Sequence, residues 1–106
     1  MEIPFKTLSD NARIWIYPSN RKLSDNEVIE IKELCSDFLA KWTSHNNTLL
    51  ASFDIPYNRF IVFGLEVDFN SPSGCSIDSS VHFIQYLENK FNISLLDKMN
   101  VTFKQG

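Results

Sequence analysis

The chain lacks several things that would announce a function. No apolar run approaches the roughly 20 residues that span a bilayer. The N-terminus, Met1-Glu2-Ile3-Pro4-Phe5, has neither the basic nor the apolar region of a signal peptide, so a cytoplasmic location is expected. Cys35 and Cys75 are the only cysteines and are then expected as free thiols, not a disulfide. An excess of positive charge is missing: the net charge is -3, which gives no general attraction to nucleic acid or anionic membranes. There is no Gly-x-x-x-x-Gly-Lys-Ser/Thr, hence no P-loop nucleotide site. His45 and His82, with the two cysteines, give no ligand-like spacing, so no metal and no cofactor are expected. Internal repeats and low-complexity tracts are absent.

At 106 residues the chain suits one domain with a core of its own. Nine phenylalanines point to a dense core or an aromatic surface. Residues 1–11, with Pro4, Ser9, Asp10 and Asn11, read as an irregular lead-in that Phe5 and Leu8 pin to the body. Ala12 to Tyr17 is β-rich and alternating, and Pro18-Ser19-Asn20 stops it. Ser24 with Glu27 has capping-box spacing and opens a helix to about Trp42. Val28, Ile31, Leu34, Cys35, Phe38, Leu39 and Trp42 form its apolar face.

Thr43 to Thr48 reads as a polar connector. Leu49 to Ile55 is a second strand, Pro56-Tyr57-Asn58 a turn, and Arg59 to Asp68 a third, most apolar strand. The Ser71–Ser80 loop leads to a helix starting near Ile77 or Asp78 and ending near Phe91. Ile77, Val81, Ile84, Leu87 and Phe91 line its stripe. Leu95 to Asn100 is a connector, and Val101 to Lys104 a fourth strand.

The order β-α-β-β-α-β predicts a single α+β domain over 1–106. Its architecture is ferredoxin-like: a four-stranded antiparallel sheet, strands one and three central, both helices on one face. The abrupt end at Lys104-Gln105-Gly106 leads us to expect a natural continuation. A different α+β sheet lacking its last part is the alternative.

That layout brings the loop after helix one toward the loop after strand three. His45 would then approach Asp68, Cys75 and Asp78. A cysteine at a helix N-terminus beside an imidazole can act as a nucleophile, with an aspartate orienting the histidine. The plainer reading competes: Asp78 or Ser76 caps the helix, Cys75 fills space, and His45 is solvated. Ser76 is also a candidate anion-binding donor at that helix start, where the dipole favours negative charge. At the opposite end, Arg21 and Lys22, with Arg59, form a second candidate for phosphate or carboxylate. A solvated loop and a capped helix explain the same residues.

Strand alternation, with Ile14 and Ile16 toward the helices, leaves Trp15, Tyr17, Phe60 and Val62 on the helix-free face. A patch of that kind is normally covered. A homodimer, an unknown protein partner or a missing segment would cover it. RNA-recognition modules place aromatics there too. However, Asn58-Arg59-Phe60-Ile61-Val62-Phe63-Gly64 lacks the glycine after the basic residue, and the chain is acidic, so nucleic acid is not favoured.

Three segments carry a family resemblance: Ala12-Arg13-Ile14-Trp15-Ile16-Tyr17, Trp42-Thr43-Ser44-His45, and Ser73-Gly74-Cys75-Ser76-Ile77-Asp78-Ser79-Ser80-Val81. With Asn58-Arg59-Phe60 and Asp97-Lys98-Met99-Asn100-Val101-Thr102-Phe103-Lys104, the chain resembles a family of small uncharacterised bacterial proteins. The family is found mainly in Bacteroidetes and is often labelled "ABC transporter ATPase". The resemblance implies no established activity, implies a chain that continues past Gly106, and draws attention to His45 and Cys75. Its label conflicts with the residues, which hold no Walker A loop, no Walker B acid and too few positions for such an ATPase.

The residues therefore point first to a small soluble binding or interaction domain of unknown partner, not an ATPase. The alternative is a cysteine-dependent enzyme or redox-sensing domain using Cys75.

Overall fold

The structure is a computed structural model, and it describes residues 1–44, 47–67, 73–95 and 101–104. It is an α+β arrangement of two helices and antiparallel strands. Strand β1 (Arg13–Pro18) is followed by helix α1 (Asp25–Lys41). Two short strands, β2 (Thr43–Ser44) and β3 (Asn47–Thr48), pair with each other where a plain connector was expected. Strands β4 (Ala51–Asp54) and β5 (Phe60–Leu65) precede helix α2 (Gly74–Phe91), and β6 (Val101–Lys104) follows it. Strand β5 pairs with β4 and β1, and β6 lies along the other edge of β1, giving the order β4-β5-β1-β6.

The helix limits follow from their caps. The Ser24 side chain accepts from the Glu27 N–H at 3.1 Å, and the Glu27 carboxylate accepts from the Ser24 N–H at 2.9 Å. This capping box satisfies two donors that the first turn leaves open, an effect worth about 1 kcal/mol. At the other end, α2 stops at Asn92, which takes the left-handed conformation (φ 52).

Helix α2 starts earlier than its apolar pattern predicts. Ser73 caps it, so Gly74 to Ser76 are already helical. Serines are poor markers of a helix interior but good caps, and a serine-rich run hides which serine is the cap. The buried stripe shifts accordingly. Ser76, Ser80, Ile84, Leu87 and Phe91 are buried, whereas Ile77 and Val81 are half-buried.

The phase of β1 is a correction. Trp15 sits opposite Phe63 and Tyr17 opposite Ile61, so both aromatics share the face of the inward residues of β5. Tyr17 is buried in the core with Ile31, Cys35, Ile84 and Leu87, and Trp15 packs against it. Alternation cannot choose the phase here, because Ile14, Trp15, Ile16 and Tyr17 are apolar on both faces. The larger side chains fill the deeper space beneath the helices. Phe63 stacks on Phe38 of α1 and on Phe83 of α2, so both helices lie over it.

The opposite face of β1 carries Ile14, which is buried, and Ile16. The lead-in lies across this face as a short 3-10 turn, Phe5–Thr7. Gly64 leaves room for it: a Cβ there would run into the Leu8 side chain, which would have to shift. Glu2 bridges Ala51 in parallel, and the Ile3 N–H donates to the Ala51 carbonyl at 2.7 Å. Ser9 donates through its N–H (2.8 Å) and its hydroxyl (2.6 Å) to the Glu66 carboxylate.

Candidate functional site

The first turn of α2 is built from serines that satisfy one another. The Ser73 hydroxyl accepts from the Ser76 N–H at 3.1 Å, and the Ser76 hydroxyl accepts from the Ser73 N–H at 2.7 Å. The Ser76 hydroxyl also donates to the Ser73 carbonyl at 2.8 Å. Ser76 is buried and its hydroxyl is committed to the cap. The Ser76 carbonyl accepts from the Trp42 indole at 2.8 Å, a buried bond between the end of α1 and the start of α2.

Cys75 lies in this turn and is exposed, as is Asp78 one turn on. The Ser79 hydroxyl donates to the Cys75 carbonyl at 3.0 Å. The other cysteine, Cys35, is wholly buried, and burial pushes its thiol well above the ordinary cysteine range. His45 and Asp68 lie outside the described residues. The neighbouring Thr43–Ser44 strand meets α2.

Arg21 is held at the opposite end. It forms a two-pronged pair with Glu27 at 2.9 and 2.7 Å and donates to the Phe91 carbonyl at 2.8 Å. The pair pulls the Glu27 carboxyl down to about 2, first through the Arg21 hydrogen bond and then through the Ser24 N–H. Lys22 is exposed beside it. Arg21 is against the last turn of α2 and Ser76 is in the first, about 22 Å apart at the rise of an α-helix. These candidates therefore belong to two places and not to one anion site.

Of the four residues expected on the helix-free face, Phe60 and Val62 are there. Phe60 is half-buried and Val62 is buried. Trp15 and Tyr17 are on the helix side, where the Tyr17 hydroxyl meets Ser80. Burial raises the Tyr17 phenol, and the Ser80 hydrogen bond partly offsets this.

The seam between the two helices holds residues that the pattern reading assigned elsewhere or passed over. Phe38 and Phe83 stack with centroids 4.5 Å apart and planes 6° from parallel. Phe83 continues to Tyr86 at 6.4 Å, and Tyr86 is 48% exposed. An aromatic ladder thus runs from Phe63 in the core to the surface. Beside it lies a groove of about 220 Å³, lined by Phe38, Lys41, Trp42, Thr43 and Ser79. At the far end, Lys90 pairs with Glu30 at 3.2 Å across the seam, which raises the lysine. The sequence signal was present: Ser79, Phe83, Tyr86 and Lys90 repeat at helical spacing beside the buried stripe, and two of them are aromatic.

Among the described residues, no group of three His, Cys, Asp or Glu side chains is placed to hold a metal ion. Among them, too, no helix is long and apolar enough to cross a membrane. Comparison with family models, with curated proteins and with solved structures returns no match. The family resemblance therefore rests on the segments quoted for it.

Proposed function

We propose that this chain is a binding domain of ferredoxin-like, split βαβ architecture that engages a protein partner through the seam between α1 and α2. The observation that carries the reading is the aromatic ladder Phe63–Phe83–Tyr86, which leaves the core and ends half-exposed at Tyr86, with Phe83 stacked on the groove residue Phe38. Helix surfaces facing water are ordinarily polar, and aromatic residues in a shallow groove supply the rigid contact area that interfaces favour. Lys41 on the groove wall adds a charged rim. Affinity capture from the source cells tests the reading. Tyr86→Lys should lose partners that the parent chain retains, while a substitution at exposed Lys32 on another face of α1 should keep them. The same partners on Tyr86→Lys and on the parent would contradict it.

A second reading rests on Cys75, which is exposed in the first turn of α2 next to the groove residue Ser79. Under it, the domain senses or transfers through this thiol. Alkylation of the native protein distinguishes the readings: under this one Cys75 reacts faster than a free cysteine under the same conditions, and under the first it does not.

A further inference from the structure

We infer that the occupant of the interhelical groove is a second copy of this chain, which inserts its exposed Tyr57 ring there; this rests on the seam reading above and names the partner it leaves open. Tyr57 is 85% exposed and holds φ 59 in a turn where Asn58 (φ 53) is left-handed too. That backbone disfavours a bulky side chain, and such outliers gather where a side chain is held out for a ligand. The turn is firmly seated. The Asn58 carbonyl accepts from the Leu23 N–H at 2.7 Å, and its side-chain amide donates to Asp25 at 3.0 Å. The Arg59 carbonyl accepts from the Ser19 N–H at 2.8 Å. A rigid, protruding ring loses little conformational freedom when it is buried in an interface.

The groove offers what a phenol ring needs. Its volume is about 220 Å³. A cavity of roughly 150 Å³ already holds a benzene ring. Phe38 and Trp42 supply ring contacts, Lys41 a cation for the ring face, and Thr43 and Ser79 hydroxyls for the phenol. The free charges beside the two surfaces are opposite in sign. Among the described residues, Lys22 and Arg59 flank the tyrosine turn, are exposed and make no ion pair. The acids near them are engaged within the chain: Glu27 by Arg21, Asp25 by Asn58 and Asp54 by the Ile55 N–H. At the groove, Asp78 precedes Ser79 and Asp37 stands one turn before Lys41. Among the described residues both acids are exposed and make no ion pair. Complementary charge of this kind steers encounter and fixes register. One chain cannot seat its own ring in its own groove. Asn58 is tied to Asp25 at the first residue of α1, and Lys41 is the last, about 24 Å further on at the rise of an α-helix. The ring therefore meets the groove of another copy.

The test is sedimentation velocity of full-length chains over a concentration series. The parent should associate as concentration rises. Tyr57→Asn, which suits the left-handed turn, and Ser79→Arg, which fills the groove, should each remain monomeric. Both positions are exposed, and circular dichroism first establishes that both variants fold. Tyr57→Gly and Thr43→Arg stand in for a variant that does not. Mixed in equal amounts, the two variants should form a species holding one chain of each kind, because the first keeps its groove and the second its ring. Association of either variant as strong as the parent's, or a mixture that stays monomeric, would overturn the proposal. A parent chain that is monomeric throughout would overturn it as well, and would leave the seam reading to stand or fall on the capture with Tyr86→Lys.

Discussion

The indole N–H of Trp42 donates to the carbonyl of Ser76 across 34 residues of chain, and both groups are buried. The bond joins the last turn of α1 to the first turn of α2, and so fixes the mouth of the interhelical groove. Trp42→Phe removes this donor and part of the buried ring. The Ser76 carbonyl keeps its helical partner, so the loss in urea unfolding should be that of one net hydrogen bond, about 1 kcal/mol, plus the lost ring volume. An unchanged midpoint would mean that this bond contributes nothing net.

Acid stability should depend on Glu27. Its carboxyl is depressed to about 2 in the folded state, so its contribution is full above the ordinary carboxylate range and is lost as pH falls toward 2. Arg21 is partly exposed, so solvent screening keeps the pair's contribution small. Arg21→Gln should lower stability at neutral pH and flatten its acid dependence between about pH 5 and pH 2. A variant that follows the parent curve throughout would remove the pair from the account.

Iodoacetamide should label Cys75 rapidly in the folded protein and leave Cys35 untouched until unfolding. Cys75 is exposed, whereas Cys35 is enclosed with Val28, Ile31 and Ile84 and its thiol is raised by that burial. Mass spectrometry of the two tryptic peptides gives the order directly. Equal rates would contradict the placement of both thiols.

Tyr57 is 85% exposed and holds φ 59, ψ 17, a left-handed conformation unfavourable to a bulky side chain. Tyr57→Asn suits that backbone and removes little packing. It should raise stability by up to about 1 kcal/mol in thermal or denaturant unfolding. A loss of stability would show that the ring makes contacts its exposure does not suggest.

The chain's signals were unevenly legible, for physical reasons. Ser24 and Glu27 announced α1 because a capping box is a local device with a fixed spacing. The adjacency of β1 and β5 followed from element order. The facing of β1 did not, since Arg13 is its only polar residue before Tyr17 and period two has nothing to grip. Ser73 is hidden among its serine neighbours, so the apolar pattern places the start of α2 one turn late. Phe5 and Leu8 were legible as anchors of the lead-in, but their seat on Gly64 was not, because it depends on a glycine 56 residues away from Leu8. For the candidate site, Cys75 and Ser76 could be placed at a helix start from sequence. The Phe38–Phe83 stack needed the relative position of two helices, which no local pattern encodes. Tyr86 lies off the buried stripe, so the stripe does not mark it.

Site-specific photo-crosslinking in the source cells shows whether the α1–α2 seam receives a partner. Tyr86→p-benzoylphenylalanine should yield a discrete crosslinked species on irradiation, because the ring at this position ends the ladder from Phe63. The same replacement at exposed Lys32, on another face of α1, should yield none. A crosslink at both positions, or at neither, would contradict the claim.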